Sequence, residues 1–238
     1  MRAIADLAKR YGFRVLEDAC HALGGRLNGE PIGSCRWSDA AVFSFHPVKS
    51  ITTAEGGMVV TNDTRLAGRV RTLANSGVVN CSGQHPWYRE MTCPGVNARM
   101  SELHASLGVS QIGKLDQFIR TRRSIVNHYL DALGDGSVHL PRIDVGYDSA
   151  WHLFVIHVDE QRDSLCSALR RAGISVNVHY VPIHTFEWYR RKGFRRGDFP
   201  IAEAHFETAI SLPLYPNLKQ RQLDYVLSTL CRSLREVA

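Results

Sequence analysis

Between an apolar run at Ala40 to Phe43 and a second at Met58-Val59-Val60, the chain inserts Ser44, His46 and Lys49, then two glycines, Gly56 and Gly57. Short apolar runs bounded by turn residues read as buried strands. Any fold must therefore bring these two runs into a sheet while leaving a hydroxyl, an imidazole and an amine in the link between them. A further apolar run, Val15-Leu16, ends in Glu17-Asp18. In open α/β sheets ligands collect where strands end, which lets Asp18 and Lys49 face one crevice. Taken singly, a loop lysine is usually just solvated and an isolated aspartate usually caps a turn. Together, a carboxylate and an amine over a bound ring are the minimum equipment for Schiff-base chemistry with pyridoxal phosphate: the amine joins the carbonyl carbon and the carboxylate keeps the pyridinium protonated.

The surrounding pattern alternates helix and strand. Ile4, Leu7, Ala8 and Tyr11 fall at helical spacing, Gly12 is a stop, and Phe13 to Leu16 reads as a short strand. Asn28-Gly29 and Pro31-Ile32-Gly33 are turn signals before the strand at Ala40. After Gly57 to Thr61, Asn62 or Asp63 can cap a helix carrying Leu66, Val70 and Leu73, ended by Ser76-Gly77. Residues 78 to 98 show no periodicity and read as one long loop. Ser101 then caps a helical region to Leu133, with Leu103, Leu107, Leu115, Phe118, Ile125 and Tyr129 as its buried side and a break near Gly113. Beyond Pro141 the texture changes: strands at Trp151 to Val158, Ile174 to Val178 and Leu212 to Leu214, a helix at Arg162 to Ala172, and an amphipathic last helix through Leu223, Val226, Leu227, Leu230 and Leu234.

Composition bounds the function. A 238-residue chain that is 44% hydrophobic and 22% charged is built to fold, not to stay disordered. No window approaches the length of a membrane span and Met1 to Lys9 does not build a signal sequence, so the expected location is cytoplasmic, with no membrane partner. The six cysteines (20, 35, 81, 93, 166 and 231) form no CxxC pair and no Cys/His metal spacing; reduced thiols and no metal are expected. The net charge of +6 suits an anionic partner, but its one local cluster, Arg190-Arg191-Lys192 to Arg195-Arg196, lacks the concentrated basic face of a nucleic-acid protein. A phosphorylated small molecule fits better.

Three linked motifs carry a family resemblance: Val15-Leu16-Glu17-Asp18-Ala19-Cys20-His21-Ala22-Leu23-Gly24, then Phe43-Ser44-Phe45-His46-Pro47-Val48-Lys49, then Ala54-Glu55-Gly56-Gly57-Met58-Val59-Val60-Thr61-Asn62-Asp63, with Gly95-Val96-Asn97-Ala98-Arg99-Met100-Ser101 following. The chain resembles, nearly end to end, the nucleotide-sugar aminotransferases of the DegT/DnrJ/EryC1/StrS family. The Phe-His-Pro-Val-Lys wording and the His179-Tyr180-Val181-Pro182-Ile183-His184 segment resemble the branch making UDP-4-amino-4,6-dideoxy-N-acetyl-altrosamine for pseudaminic acid. The resemblance implies an α/β fold of the fold-type I pyridoxal-phosphate transferases. Residues 1–115 would be the C-terminal part of the large α/β/α domain, with its mostly parallel sheet, and 116–238 a connecting helix and a small α+β domain.

By the same resemblance Lys49 joins the cofactor and shuttles protons, Asp18 pairs with the pyridine nitrogen, His21 lies beside the phenolic oxygen, and Ser44 contacts the phosphate. Asn97 is a phosphate ligand given to the neighbouring subunit, which implies a homodimer with shared sites. Arg99 anchors the nucleotide diphosphate, and His179, Tyr180 and His184 form the sugar-side wall. The implied substrates are an amino-acid donor, glutamate, and a nucleotide-linked keto sugar. Related dehydratases carry histidine at the lysine position, so Lys49 argues for amino transfer. The family's glycine-threonine phosphate turn and its ring-stacking aromatic have no counterpart in this sequence. Opening on a helix with no strand before it also predicts that upstream sequence is missing. Two alternatives stay open: a truncated, catalytically incomplete fragment that is non-catalytic or partner-dependent, and a pure interaction module of the same fold.

Overall fold

Gly12 stops the opening helix, α1 (Arg2–Tyr11), by taking φ +73° and giving its N–H to Ala8 O, a left-handed cap that costs glycine little. The computed structural model describes residues 1–81, 85–134, 136–159 and 161–237. It divides into two units, Met1–Gln117 with Val145–Ala150, and Phe118–Asp144 with Trp151–Ala238.

In the first unit, β1 (Leu16–Asp18) starts later than the strand expected from Phe13. The ladder begins only where the Asp39 carboxylate takes the Val15 N–H at 2.8 Å and Val15 O accepts from Asp39 N. A hairpin of β2 (Arg26–Leu27) and β3 (Glu30–Pro31) turns on Asn28-Gly29, at φ 50° and 82°, the paired positive values of a type I′ turn. Strand β4 (Ala40–Ser44) lies at the centre of a three-stranded sheet, parallel to β1 and antiparallel to β5 (Gly57–Val60). Asp63, one of the two caps expected, caps α2 (Thr64–Ala74) by accepting from Arg65 and Leu66 N–H.

Residues 78 to 98 are not one irregular loop. They contain a hairpin of β6 (Val78–Asn80) and β7 (Arg89–Met91), while residues 82–84 of the expected loop lie outside the described residues. Its strands are largely exposed, so no buried face imposed an alternating pattern on the sequence. Ser101 caps α3 (Glu102–Ile112) through His104 N–H, and the break near Gly113 separates it from α4 (Leu115–Ala132). The apolar side expected for α3 is a correction: Leu103 is 82% exposed and Leu107 is also exposed. Strand β8 (Tyr147–Asp148) adds to β2.

In the second unit the buried stripe of α4 is Ile119, Arg122, Ile125, Val126 and Tyr129. Ile125 and Tyr129 were expected; Leu115 and Phe118 are only half-buried, because the helix presents the neighbouring face. Strand β9 (Phe154–His157) pairs antiparallel with β10 (Ala209–Leu212), Ile156 opposite Ile210. The strand expected at Leu212 to Leu214 thus ends where Pro213 removes an N–H. Helix α5 (Arg162–Arg171) is closed by Gly173 at φ 77°. Ile174 and Val176 are buried as their alternation implies, yet only an Asn177–Ser211 bridge forms there, not a strand. A 3-10 turn (Ile183–Thr185) and two short helices follow, α6 (Glu187–Arg190) and α7 (Pro200–Thr208). Leu223, Val226, Leu227 and Leu230 of the last helix, α8 (Gln220–Val237), complete a core with Phe154, Ile156, Leu165, Leu169 and Ile210. Among the described residues no helix is long and apolar enough to cross a membrane, and no His/Cys/Asp/Glu group could hold a metal ion.

Candidate functional site

The parallel register sets Asp18 opposite Val42, so both side chains leave the same face of the sheet, and Ser44 two residues on leaves it too. Beyond β4 the chain is pinched. Phe45 N–H donates to Gly56 O at 2.9 Å and Thr53 N–H to Phe45 O at 2.9 Å, which squeezes residues 46–52 out as a loop. Phe45, Ile51, Ser50 and Thr53 are buried and anchor its base. Within it Lys49 N–H closes a turn on His46 O, and Thr52 Oγ1 donates to Phe45 O while accepting from Ala54 N–H. Gly56, at φ 151°, has no room for a side chain: a Cβ would lie 2.5 Å from Thr53 Oγ1 and 2.6 Å from Met100 Cε. Lys49 is therefore carried, half-buried, on a loop whose backbone is fixed.

Asp18 is the last residue of β1 and is exposed, and one oxygen accepts from Cys20 N–H at 3.1 Å. It caps the turn it precedes, the plain role open to it, and that does not exhaust its interactions. Its carboxyl is held below the usual aspartate range, first by the Cys20 thiol, then by the Cys20 N–H, with the positive fields of His21 and Lys49 adding to them against some desolvation. Asp18 thus ends β1, Lys49 stands on the loop that follows the neighbouring strand β4, and the fields of Lys49 and His21 both reach the Asp18 carboxyl.

Asn97 and Arg99 lie on the segment that runs back along the end of α2. Val96 exchanges main-chain bonds with Leu73 and Ser76, Ala98 N–H reaches Ala74 O, and Asn97 bridges Asn75. Gly95 is required there, since a Cβ would sit 2.2 Å from Gly77 N. The Asn97 amide oxygen accepts from Arg99 Nε at 3.2 Å, so these two exposed side chains form a pair.

His179, Tyr180 and His184 belong to the second unit. His179 Nε2 accepts from the Asn177 amide at 3.3 Å, which leaves Nδ1–H to donate to Ser211 Oγ at 2.7 Å. Tyr180 packs edge-on against it, centroids 4.5 Å apart, and lines a cavity of about 690 Å³ with Pro182, Phe199, Ile201 and His205. His184 instead turns inward, buried, with Nε2 2.8 Å from Glu203 Oε1. Glu203 also accepts from Gly197 N–H at 2.7 Å and so ties the 193–199 loop to α7. Neither Glu203 nor His205 was picked out from the sequence. Pro200 with Glu203 shortly after it was the available signal, because proline is favoured in the first turn of a helix and an acid stabilises that turn.

A model of the DegT/DnrJ/EryC1/StrS aminotransferase family matches residues 1–231. The spore coat polysaccharide biosynthesis protein SpsC of Bacillus subtilis (strain 168) is 34% identical over 240 residues, covering 95% of this chain and 61% of SpsC. Among solved structures, Helicobacter pylori PseC, an aminotransferase involved in the biosynthesis of pseudoaminic acid, superimposes with a TM-score of 0.91 at 27% identity, over 98% of this chain and 63% of PseC. DesV of S. venezuelae, solved in complex with a ketimine intermediate, gives a TM-score of 0.86 at 34% identity, over 98% and 61% respectively. The chain spans less than two thirds of the length of these relatives.

Proposed function

Because the chain belongs to the DegT/DnrJ/EryC1/StrS aminotransferase family, we propose that it serves a pyridoxal-phosphate-dependent transfer of an amino group from an amino acid, glutamate, to the keto sugar of a nucleotide-sugar. What supports this reading is that Asp18 ends β1 while Lys49 is held on the pinned loop that follows the neighbouring parallel strand β4, with the Lys49 charge among the causes that hold the Asp18 carboxyl low. Those are the two groups the cofactor needs at opposite parts of its ring, so the donor set fits it. When bound, pyridoxal phosphate supplies the electron sink that lets a carbon next to the transferred nitrogen lose its proton.

The chain's own residues take the other parts. Lys49 Nζ would hold the cofactor, and its amine would serve as the acid and base that moves the proton at the reacting carbon of donor or sugar. Asp18 keeps the ring nitrogen protonated by its negative charge, and His21 donates to the phenolic oxygen. Ser44 and Asn97 take the phosphate, Asn97 on behalf of the neighbouring protomer of a homodimer with shared sites. Arg99 takes the nucleotide diphosphate with its forked donors. His179 and Tyr180 wall the sugar side, and His184 supports that wall from behind through Glu203. On this reading residues 1–115 are part of the cofactor-binding domain and 116–238 the connecting helix and small domain. The setting is cytoplasmic assembly of surface polysaccharide or glycan precursors, in keeping with SpsC and PseC.

A second reading, a partner-dependent protein without catalysis of its own, draws on the apolar surface of the first unit, where Ile4, Leu7 and Tyr11 of α1 and Leu103, Val109 and Ile112 of α3 are exposed. One experiment separates the two. The purified chain is mixed with pyridoxal phosphate, reduced with borohydride and digested. The expected result is a cofactor adduct on the Lys49 peptide that K49A abolishes; an adduct elsewhere, or none despite bound cofactor, overturns the aminotransferase reading.

A further inference from the structure

The second unit holds a guanidinium that the fold leaves unsatisfied. Arg162, the first residue of α5, is only 12% exposed at its side chain and lies over the Phe206 ring of α7, with Cζ 5.0 Å from the centroid. The ring quadrupole attracts the cation but accepts none of its in-plane N–H donors. Nε is buried without a hydrogen-bond acceptor: Asp163 Oδ1 comes within 2.9 Å of it, but off the N–H direction and on a side chain that is 90% exposed. Among the described residues no other group takes a hydrogen bond from Arg162. Leaving a charged donor largely buried and unbonded costs more than leaving a neutral one so, and an acceptor from outside the chain would remove that cost.

There is room for one. Arg162 and Asp163 line a cavity of about 480 Å³ together with Arg190, Arg196, Glu203 and Glu207, a volume within the roughly 300–1,000 Å³ of small-molecule sites. Arginines and acids are equal in number there, so what the cavity prefers depends on which of them are already paired. Glu203 is committed to His184 Nε2 at 2.8 Å and to Gly197 N–H at 2.7 Å. Arg196 bridges Glu207 and brings its Nε to 3.8 Å from Glu203. Asp163 stands in water, which screens it. Arg190 has no ion pair among the described residues. Two guanidinium groups therefore remain uncommitted, and the cavity favours an anion. The helix adds to this, because Gln161 gives α5 no side-chain cap and leaves the positive end of its dipole uncompensated. A carboxylate is filled by a single arginine fork, whereas a phosphate, with a charge of about −1.5 to −2 and oxygens on three sides, can answer two cations and a helix end together.

We propose that this cavity is a binding site for a small organic phosphate, held by the fork of Arg162 on its Phe206 floor and by Arg190 as the second cation. Neither arginine has a part in the aminotransferase reading, and the site stands whether or not Lys49 carries a cofactor.

The test uses the full chain without pyridoxal phosphate. Nitrogen-15-labelled protein is titrated with ribose 5-phosphate at pH 6.5 and constant ionic strength, and the arginine Nε–H signals are followed by NMR, that of Arg162 being assigned by its loss in R162K. The Arg162 signal should move saturably, inorganic phosphate should move it only at several-fold higher concentration, and ribose should leave it in place. R190Q should weaken the binding about tenfold, the factor one charge-assisted hydrogen bond is worth; its site is exposed, so the comparison does not depend on an Arg162 variant folding. No saturable shift, the same shift from sodium chloride, or an unchanged affinity in R190Q overturns the proposal. Glutarate binding as tightly as ribose 5-phosphate overturns the choice of phosphate over carboxylate. A chain that fails to trap pyridoxal phosphate on Lys49 sinks the aminotransferase reading and leaves this titration to decide the cavity by itself.

Discussion

Arg122 is a buried guanidinium with no carboxylate partner among the described residues, and replacing it tests how the second unit is held together. Its Nη1 donates to Trp151 O at 3.2 Å, His152 O at 3.2 Å and Leu214 O at 3.0 Å, while Nε has no acceptor. One nitrogen carries two hydrogens, so three carbonyls share two donors, and the loss is that of two charge-assisted bonds. R122M keeps most of the aliphatic volume and relieves the cost of burying a charge. Against this, the acceptors are main-chain carbonyls from two separate segments, which no substitution deletes, and each bond lost to a charged donor costs about 1.5–3 kcal/mol. With part of that offset by the relieved charge, the expected net loss is about 3 kcal/mol. Hydrogen exchange read on peptides covering β9 and β10 should speed up by roughly 150-fold, the factor that corresponds to that free energy. R122K, with three hydrogens on a single nitrogen but a shorter reach, should fall between. If R122M exchanges at the wild-type rate or more slowly, the desolvation of the guanidinium outweighs its bonds and the clamp argument is wrong.

Two further outcomes follow from the same geometry. Gly56→Ala forces a Cβ to 2.5 Å from the hydroxyl of buried Thr53, which is itself committed to Glu55 O, at a φ of 151°. The first unit should lose about 2 kcal/mol in urea unfolding, with faster proteolysis of the 45–57 loop; wild-type behaviour would mean that the loop is not pinned. His157, bonded to Thr208 Oγ1 at 2.7 Å and set edge-on to His205, has its pKa lowered below the ordinary 6.5 by burial first, then by His205 and His139. The unfolded chain therefore binds that proton more readily, so stability of the second unit is full above pH 6.5 and falls as pH drops toward the lowered value. His157→Gln should reduce the difference in urea midpoint between pH 7.5 and pH 5; an unchanged difference refutes the assignment to this imidazole.

Turn and cap chemistry was legible in advance because it is local. Gly12, Asn28-Gly29, Asp63, Ser101 and Gly173 act within a few residues of themselves, and each does in the fold what its type dictates. Misplaced strands mark the opposite case. Where β1 begins depends on Asp39, whose carboxylate takes the Val15 N–H from the neighbouring strand, and where β10 stands depends on its partner β9. The exposed β6–β7 hairpin carried no pattern at all.

Sequence order alone put an acid after one apolar run and an amine after the next, and this was enough to suggest a shared crevice. It could not say that the parallel register turns Asp18 and Ser44 to one face, nor that His184 points inward to Glu203 while Tyr180 stays at the surface. Those outcomes depend on which distant backbone groups satisfy each donor and acceptor, as does the burial of Arg122 on three carbonyls that the chain brings from two far-apart segments. Local side-chain chemistry writes the elements; only the closing of long-range hydrogen bonds decides which of their faces meet.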